Sequence, residues 1–214
     1  MTEDFTFDWD RAKRSGLPEA VLAEPKSVAQ VRAIADAAVA RAHPLLITRV
    51  RPDQAAALQD LPFTYDPDSR TAVHAVPPLP KDAPLVGIVT AGTSDLPVAR
   101  EAQVTARFLG LETALFADLG VAGLWRLQSR LDEIVRAKVV IAVAGMEGAL
   151  FSVLPGLIHA PVIAVPTSVG YGVGAGGQVA LQSALATCAP GLVTVNIDNG
   201  FGAAAAAAKM LRVS

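Results

Sequence analysis

Fifty consecutive residues, Gly148 to Ile197, contain no Asp, Glu, Lys or Arg, and this run most narrows what the chain can fold into. A bilayer span needs about 20 mostly apolar residues in succession. Pro155, Pro161, Pro166 and many glycines interrupt every such window here, so no membrane segment is expected. Two apolar, β-rich stretches lie inside the run, 161–165 (PVIAV) and 192–196 (LVTVN). Between them come the glycine-rich 168–177 (SVGYGVGAGG) and a helical stretch. Strands that are apolar without alternation are buried on both faces, as in a parallel sheet covered by helices. The run therefore reads as the packed centre of an α/β domain.

The same rhythm extends upstream. Residues 85–90 (LVGIVT), 113–116 and 139–143 (VVIAV) read as strands. Val98, Ala102, Ala106 and Leu109 line one face of a helix that begins at Pro97. Leu124, Leu127, Leu131 and Ile134 do the same for a second, and residues 148–157 open a third. Residues 203–211 close the chain as an alanine-rich helix whose small side chains suit an oligomer contact. Five strands alternating with helices predict a doubly wound, three-layer α/β domain with a mostly parallel sheet. Nearer the start, Ser27 and Gln30 form a capping box. It opens a helix through Val28, Val31, Ile34 and Ala38, followed by a strand at 44–48 (PLLIT). Residues 49–84, broken by prolines, read as a connector. The expected division is a small N-terminal α/β appendage with linker, 1–82, and the main domain, 83–214.

With 52% apolar and 18% charged residues, the chain has either a large core or much surface buried between subunits. A net charge of −2 gives no reason to expect nucleic acid. The acidic opening, MTEDFTFDWD, lacks the apolar core of a secretory signal. A single cysteine, Cys188, forms no internal disulfide, which suits a cytoplasmic location. His43, His74 and His159 are scattered without zinc-type spacing.

In open α/β sheets ligands bind beyond the carboxyl ends of the strands. The loops there are 91–95 (AGTSD), 117–123 (ADLGVAG), 144–148 (AGMEG), 166–177 and 197–202 (IDNGFG). Gly172, Gly174 and Gly177 spell G-x-G-x-x-G, with Asp198 about twenty residues on. However, residues 166–170 separate those glycines from their strand, and only sixteen residues follow Asp198. NAD is not expected as a redox cofactor, and the loop reads instead as a flexible ligand cover. Gly92, Thr93, Ser94 and Asp95 stand between a strand and a helix, where backbone N–H groups and hydroxyls make a phosphate cradle. Ser94 or Asp95 could equally be a plain N-cap. Cys188 is either a small buried hydrophobe or a nucleophile, with no His, Lys or Arg beside it in sequence. Glu147 is open to three readings: general base, Mg²⁺ ligand or helix N-terminal charge.

Residues 92–95 (GTSD), 144–150 (AGMEGAL) and 154–156 (LPG) resemble the aminoimidazole ribonucleotide (AIR) carboxylase, or PurE, superfamily. Residues 118–124 (DLGVAGL), 167–172 (TSVGYG), 187–191 (TCAPG) and 196–202 (NIDNGFG) resemble more closely its nickel-pincer cofactor carboxylases, the LarB family. Residues 14–19 (RSGLPE) and 48–49 (TR) are similar to that family's leader region. The resemblance implies a reaction in nickel-pincer cofactor biosynthesis. Nicotinic acid adenine dinucleotide is carboxylated at ring carbon 5 with CO₂ or bicarbonate. Its phosphoanhydride is then hydrolysed, giving pyridinium-3,5-biscarboxylic acid mononucleotide and AMP.

It also implies roles. Cys188 would be the nucleophile and Asp95 the base or proton carrier. Gly92, Thr93 and Ser94 would hold phosphate, and Asp118, Thr167, Ser168 and Tyr171 would line the dinucleotide. Gly145, Met146, Glu147, Gly148, Gly170, Asp198 and Asn199 complete the implied substrate site. Mg²⁺ would accompany the pyrophosphate, with Glu147 and Asp198 as candidate ligands. The superfamily's ring-like octamers imply a homo-oligomer. Two departures stand out. Residues 116–120 (FADLG) lack the histidine of the purine enzymes' Ser-Ala-His-Arg loop, and Trp125 precedes Arg126 where the nickel-pincer family has histidine. The alternatives are a purine-pathway carboxylase or mutase and a non-catalytic nucleotide-binding module.

Overall fold

A computed structural model describes residues 5–213, so the first four residues of the acidic opening lie outside it. The chain divides into two compact units after Pro78.

The first unit contains α1 (Arg11–Ser15), β1 (Ala20–Leu22), α2 (Val28–Ala40), β2 (Leu45–Thr48), α3 (Pro52–Ala56), β3 (Thr64–Asp66) and β4 (Thr71–His74). Its sheet runs β1-β2-β4-β3, with β1 and β2 parallel and the β3–β4 pair an antiparallel hairpin. The capping box is present: Gln30 N–H donates to Ser27 Oγ at 3.1 Å, and Ser27 N–H to Gln30 Oε1 at 3.0 Å. From there α2 buries Val31, Ile34, Ala35 and Ala38 against Leu45 and Ile47 of β2.

Residues 49–84 are not the expected connector. Pro52 starts α3 at a position where its missing N–H is harmless. Gln54 is buried, and its amide donates at 2.8 Å to the carbonyls of both Ala23 and Lys26, pinning α3 beneath β1. Prolines here begin or separate elements, and residues 75–84 are the longest stretch without helix or strand.

The second unit contains β5 (Leu85–Thr90), α4 (Leu96–Phe108), β6 (Glu112–Phe116), α5 (Leu124–Ile134) and β7 (Val139–Ala144). It continues with α6 (Leu150–Val153), β8 (Val162–Pro166), α7 (Gln178–Ala186), β9 (Leu192–Thr194) and α8 (Gly200–Val213). Its five strands form a fully parallel sheet in the order β6-β5-β7-β8-β9. Every residue of β7 and β8 is buried, as unbroken apolar strands between two helical layers require.

Two expectations change. The alanine run of α8 meets α4 of the same chain: Ala203, Ala204, Ala207 and Ala208 are buried beside Ala99, Ala102 and Ala106. Small side chains let the two helices approach closely, so the run is explained within one subunit. A Cβ on Gly200 would lie 2.4 Å from the Val98 carbonyl. In addition, the 192–196 stretch is a three-residue edge strand, and Val193 is exposed. It lacks charge without being buried on both faces.

Strand β5 has β6 on one side and β7 on the other, so successive connections leave it in opposite directions. That reversal opens a crevice between the loops after β5 and β7.

Candidate active site

A cavity of about 290 Å³ occupies this crevice. Its walls are Gly92, Ser94 and Asp95 after β5, Gly120 to Ala122 with Arg126, Gly145 to Glu147 after β7, and Val169 after β8. The volume is at the small end for ligand pockets and suits one substituted ring rather than a whole dinucleotide.

Asp95 is its central acid. A short 3₁₀ turn, Thr93–Asp95, carries it to the start of α4. The carboxylate makes no cap bond to that helix. Instead its Oδ2 accepts the Gly92 N–H at 2.9 Å and its Oδ1 accepts the Thr167 hydroxyl at 2.7 Å. Asp95 is 3% exposed. Burial pushes its pKa above the usual 3.8, and nearby Asp198 adds to the push, although bonds from Thr167, Gly92 and the Gly145 backbone oppose it. The ionised carboxylate is therefore a stronger base than an exposed one.

The loops after β7 and β8 are joined around this group. Met146, at φ 53°, donates its N–H to the Val169 carbonyl at 2.9 Å. Gly145 is indispensable there, because a Cβ would sit 2.2 Å from that carbonyl oxygen and 2.7 Å from Thr167 Oγ1. Gly148 turns the chain at φ 62° against the Phe151 ring. Gly170 packs near the Met146 sulfur. Asp198 donates its N–H to the Pro166 carbonyl and accepts the Ser168 N–H, both at 2.8 Å. Thr167, Ser168 and Asp198 thus meet beside Asp95.

The other expected residues are placed differently. Ser94 lines the cavity; Thr93 is exposed and outside its wall. Glu147 is exposed at the rim. Asn199 Oδ1 accepts the Gly202 N–H at 2.8 Å, holding the first turn of α8. Tyr171 is 78% exposed on the outer loop with Val173. Cys188 is exposed on the loop entering β9, and that loop's Gly191 carbonyl accepts the Val162 N–H at the start of β8. The thiol does not line the cavity. Its neighbour Thr187 donates its hydroxyl to Ser152 Oγ at 3.1 Å, on the helix whose Leu150 does line it.

Asp118 and Arg126 form one unit. Asp118, at φ 60°, is fixed by its N–H to the buried Thr90 hydroxyl at 3.1 Å. Its Oδ2 accepts Arg126 Nη1 at 2.7 Å. The spacing of Gly120 and Gly123 before Arg126 was the sequence sign that a large head group needs room. Val169 and Ala122, which line the cavity through small or backbone surface, left no such sign. Among the described residues no group of three or more His, Cys, Asp or Glu could hold a metal. Glu147 and Asp198 are not part of such a group.

Residues 85–214 match the AIR carboxylase family and residues 2–76 match the LarB/PurE-like N-terminal domain. The chain belongs to the AIR carboxylase family. This AIR carboxylase family member carries the domain pairing of LarB/PurE-type proteins. It is 49% identical over 120 residues to an uncharacterized protein of Methanocaldococcus jannaschii, a stretch covering 55% of this chain and 46% of that protein. The chain thus spans about half of that relative's length. The crystal structure of Treponema denticola PurE superposes with a TM-score of 0.52 at 24% identity, covering 61% of this chain and 81% of the other. That likeness establishes the PurE-like three-layer fold of the family member.

Proposed function

We propose that this protein carboxylates the pyridinium ring of nicotinic acid adenine dinucleotide at carbon 5 and hydrolyses the phosphoanhydride to release AMP. The observation that carries the reading is Asp95, a buried carboxyl whose pKa is raised by burial, in a ring-sized cavity at the switch point. A group of that kind can take the proton from the carbon that has gained the new carboxylate.

In the reaction a thiolate adds to the electron-poor ring, forming a carbon–sulfur bond and an enamine-like carbon 5. Carbon 5 attacks CO₂ and forms the carbon–carbon bond. Asp95 accepts the proton of carbon 5, the ring regains aromaticity, and the carbon–sulfur bond breaks to return the thiolate. Mg²⁺ would arrive with the substrate's pyrophosphate, neutralising its charge for the hydrolysis.

The thiolate in this reading is Cys188 of a neighbouring copy, reaching a cavity whose lining within one chain does not include Cys188. Such a contact is supported by composition: Leu157, Leu185 and Val193 are exposed within the same charge-free run as Cys188, and interface centres are depleted in charge. The protein is then a homo-oligomer with sites shared between copies.

The test is mass spectrometry of protein incubated with the dinucleotide, bicarbonate and Mg²⁺, beside Cys188→Ala and Asp95→Asn controls. The expected product is a biscarboxylated mononucleotide with AMP, made by the unmutated protein alone. Product from Cys188→Ala would remove the thiol mechanism. Absence of product from folded, unmutated protein would redirect the search to aminoimidazole ribonucleotides.

A further inference from the structure

We infer that Arg126 is the residue by which this cavity selects a ring bearing a carboxylate over the corresponding carboxamide. The inference rests on the reading of the cavity as the ring site. Arg126 is the only cation among the residues lining the cavity. Its guanidinium has five N–H donors, and Asp118 takes Nη1 at 2.7 Å. Nε is buried without a partner. The head group is fitted between two glycines: a Cβ at Gly123 would come within 2.9 Å of Nε, and one at Gly120 within 3.6 Å of Nη2.

Asp118 does not float with its partner. Its backbone is tied to Thr90 at the end of β5, so the ion pair is referenced to the sheet that also positions Asp95. Arg126 therefore presents a fixed positive charge in the wall of the cavity that Asp95 also lines. A ring carboxylate gains a charge-assisted hydrogen bond there, whereas a carboxamide brings no charge and a competing N–H face. Asp118 and the two glycines are positioning residues for this contact.

The test is equilibrium binding of nicotinic acid adenine dinucleotide and of its carboxamide counterpart to the full-length protein, by calorimetry. Unmutated protein should bind the acid more tightly. Arg126→Gln should weaken the acid about 10- to 100-fold, the loss expected for one hydrogen bond to a charged group, and leave the amide within about twofold. Arg126→Lys should recover part of the preference. An unchanged preference in Arg126→Gln overturns the assignment while leaving the cavity's function intact. A variant whose sole defect is a raised KM for bicarbonate overturns it too, since the arginine then serves the co-substrate. Failure of folded, unmutated protein to bind either dinucleotide overturns both this assignment and the proposed reaction.

Discussion

The Thr167 hydroxyl donates a 2.7 Å hydrogen bond to Asp95 Oδ1, linking residues 72 positions apart at the mouths of two different strands. The bond favours the ionised carboxylate, against the burial that favours the acid. Replacing Thr167 with Val should raise the Asp95 pKa further, so that the acidic limb of the pH–rate profile moves to higher pH. Thr167→Ser should move it back. Identical limbs in all three proteins would assign that limb to another group.

Asp95 also sets a stability trend. Its folded pKa lies above the unfolded value of 3.8, so the folded state binds more protons between the two values and stability falls as pH rises through that interval. The contribution is fully present below pH 3.8 and lost above the folded pKa. Asp95→Asn removes the loss. It should melt at a higher temperature than the parent at neutral pH, with the gap closing toward pH 3.8. A variant that melts lower at neutral pH would show that the amide forfeits more in hydrogen bonds than it gains.

Gly145→Ala places a methyl group 2.2 Å from the Val169 carbonyl and must separate the two joined loops. Overpacking of this kind costs about 1–3 kcal/mol. Urea unfolding should register that loss, and turnover should fall with it because Asp95 is held by the same loops. Full activity in the variant would mean that the loops move freely.

Sharing of the site between copies has a clean readout. Cys188→Ala and Asp95→Asn should each be inactive, yet mixed oligomers of the two should regain roughly a quarter of parental activity, because some sites draw both intact residues from different copies. Mixtures that stay inactive would place both groups in one chain's site.

The α4–α8 seam is predicted to reject volume. Ala207 is fully buried on it, and Ala207→Leu should lower stability by about 1–3 kcal/mol. A variant with unchanged stability and altered oligomer size would return the alanine run to an interface between copies.

Much of the fold was legible because its signals are local. The strands 85–90 and 139–144 show in apolar runs, α2 shows in the Ser27–Gln30 box, and the loops beyond the strands show in their glycines. The structure of residues 49–74 was not, since Pro52 looks alike whether it starts a helix or fills a linker. What placed α3 is Gln54 reaching Ala23 and Lys26, carbonyls 31 and 28 positions away.

The candidate site divides in the same way. By itself the sequence determined which residues could act: one thiol, an acid behind Gly92, hydroxyls in the loops after two strands. Only the tertiary structure decided which of them meet. A parallel sheet sends every post-strand loop to one end of the strands and every pre-strand loop to the other, so Asp95, Thr167 and Asp198 converge while Cys188 lies in the loop that enters β9. The environment of Asp95 was likewise invisible in sequence, because the groups that act on its carboxyl, Thr167, Gly145 and Asp198, lie beyond the ends of other strands, far from it along the chain.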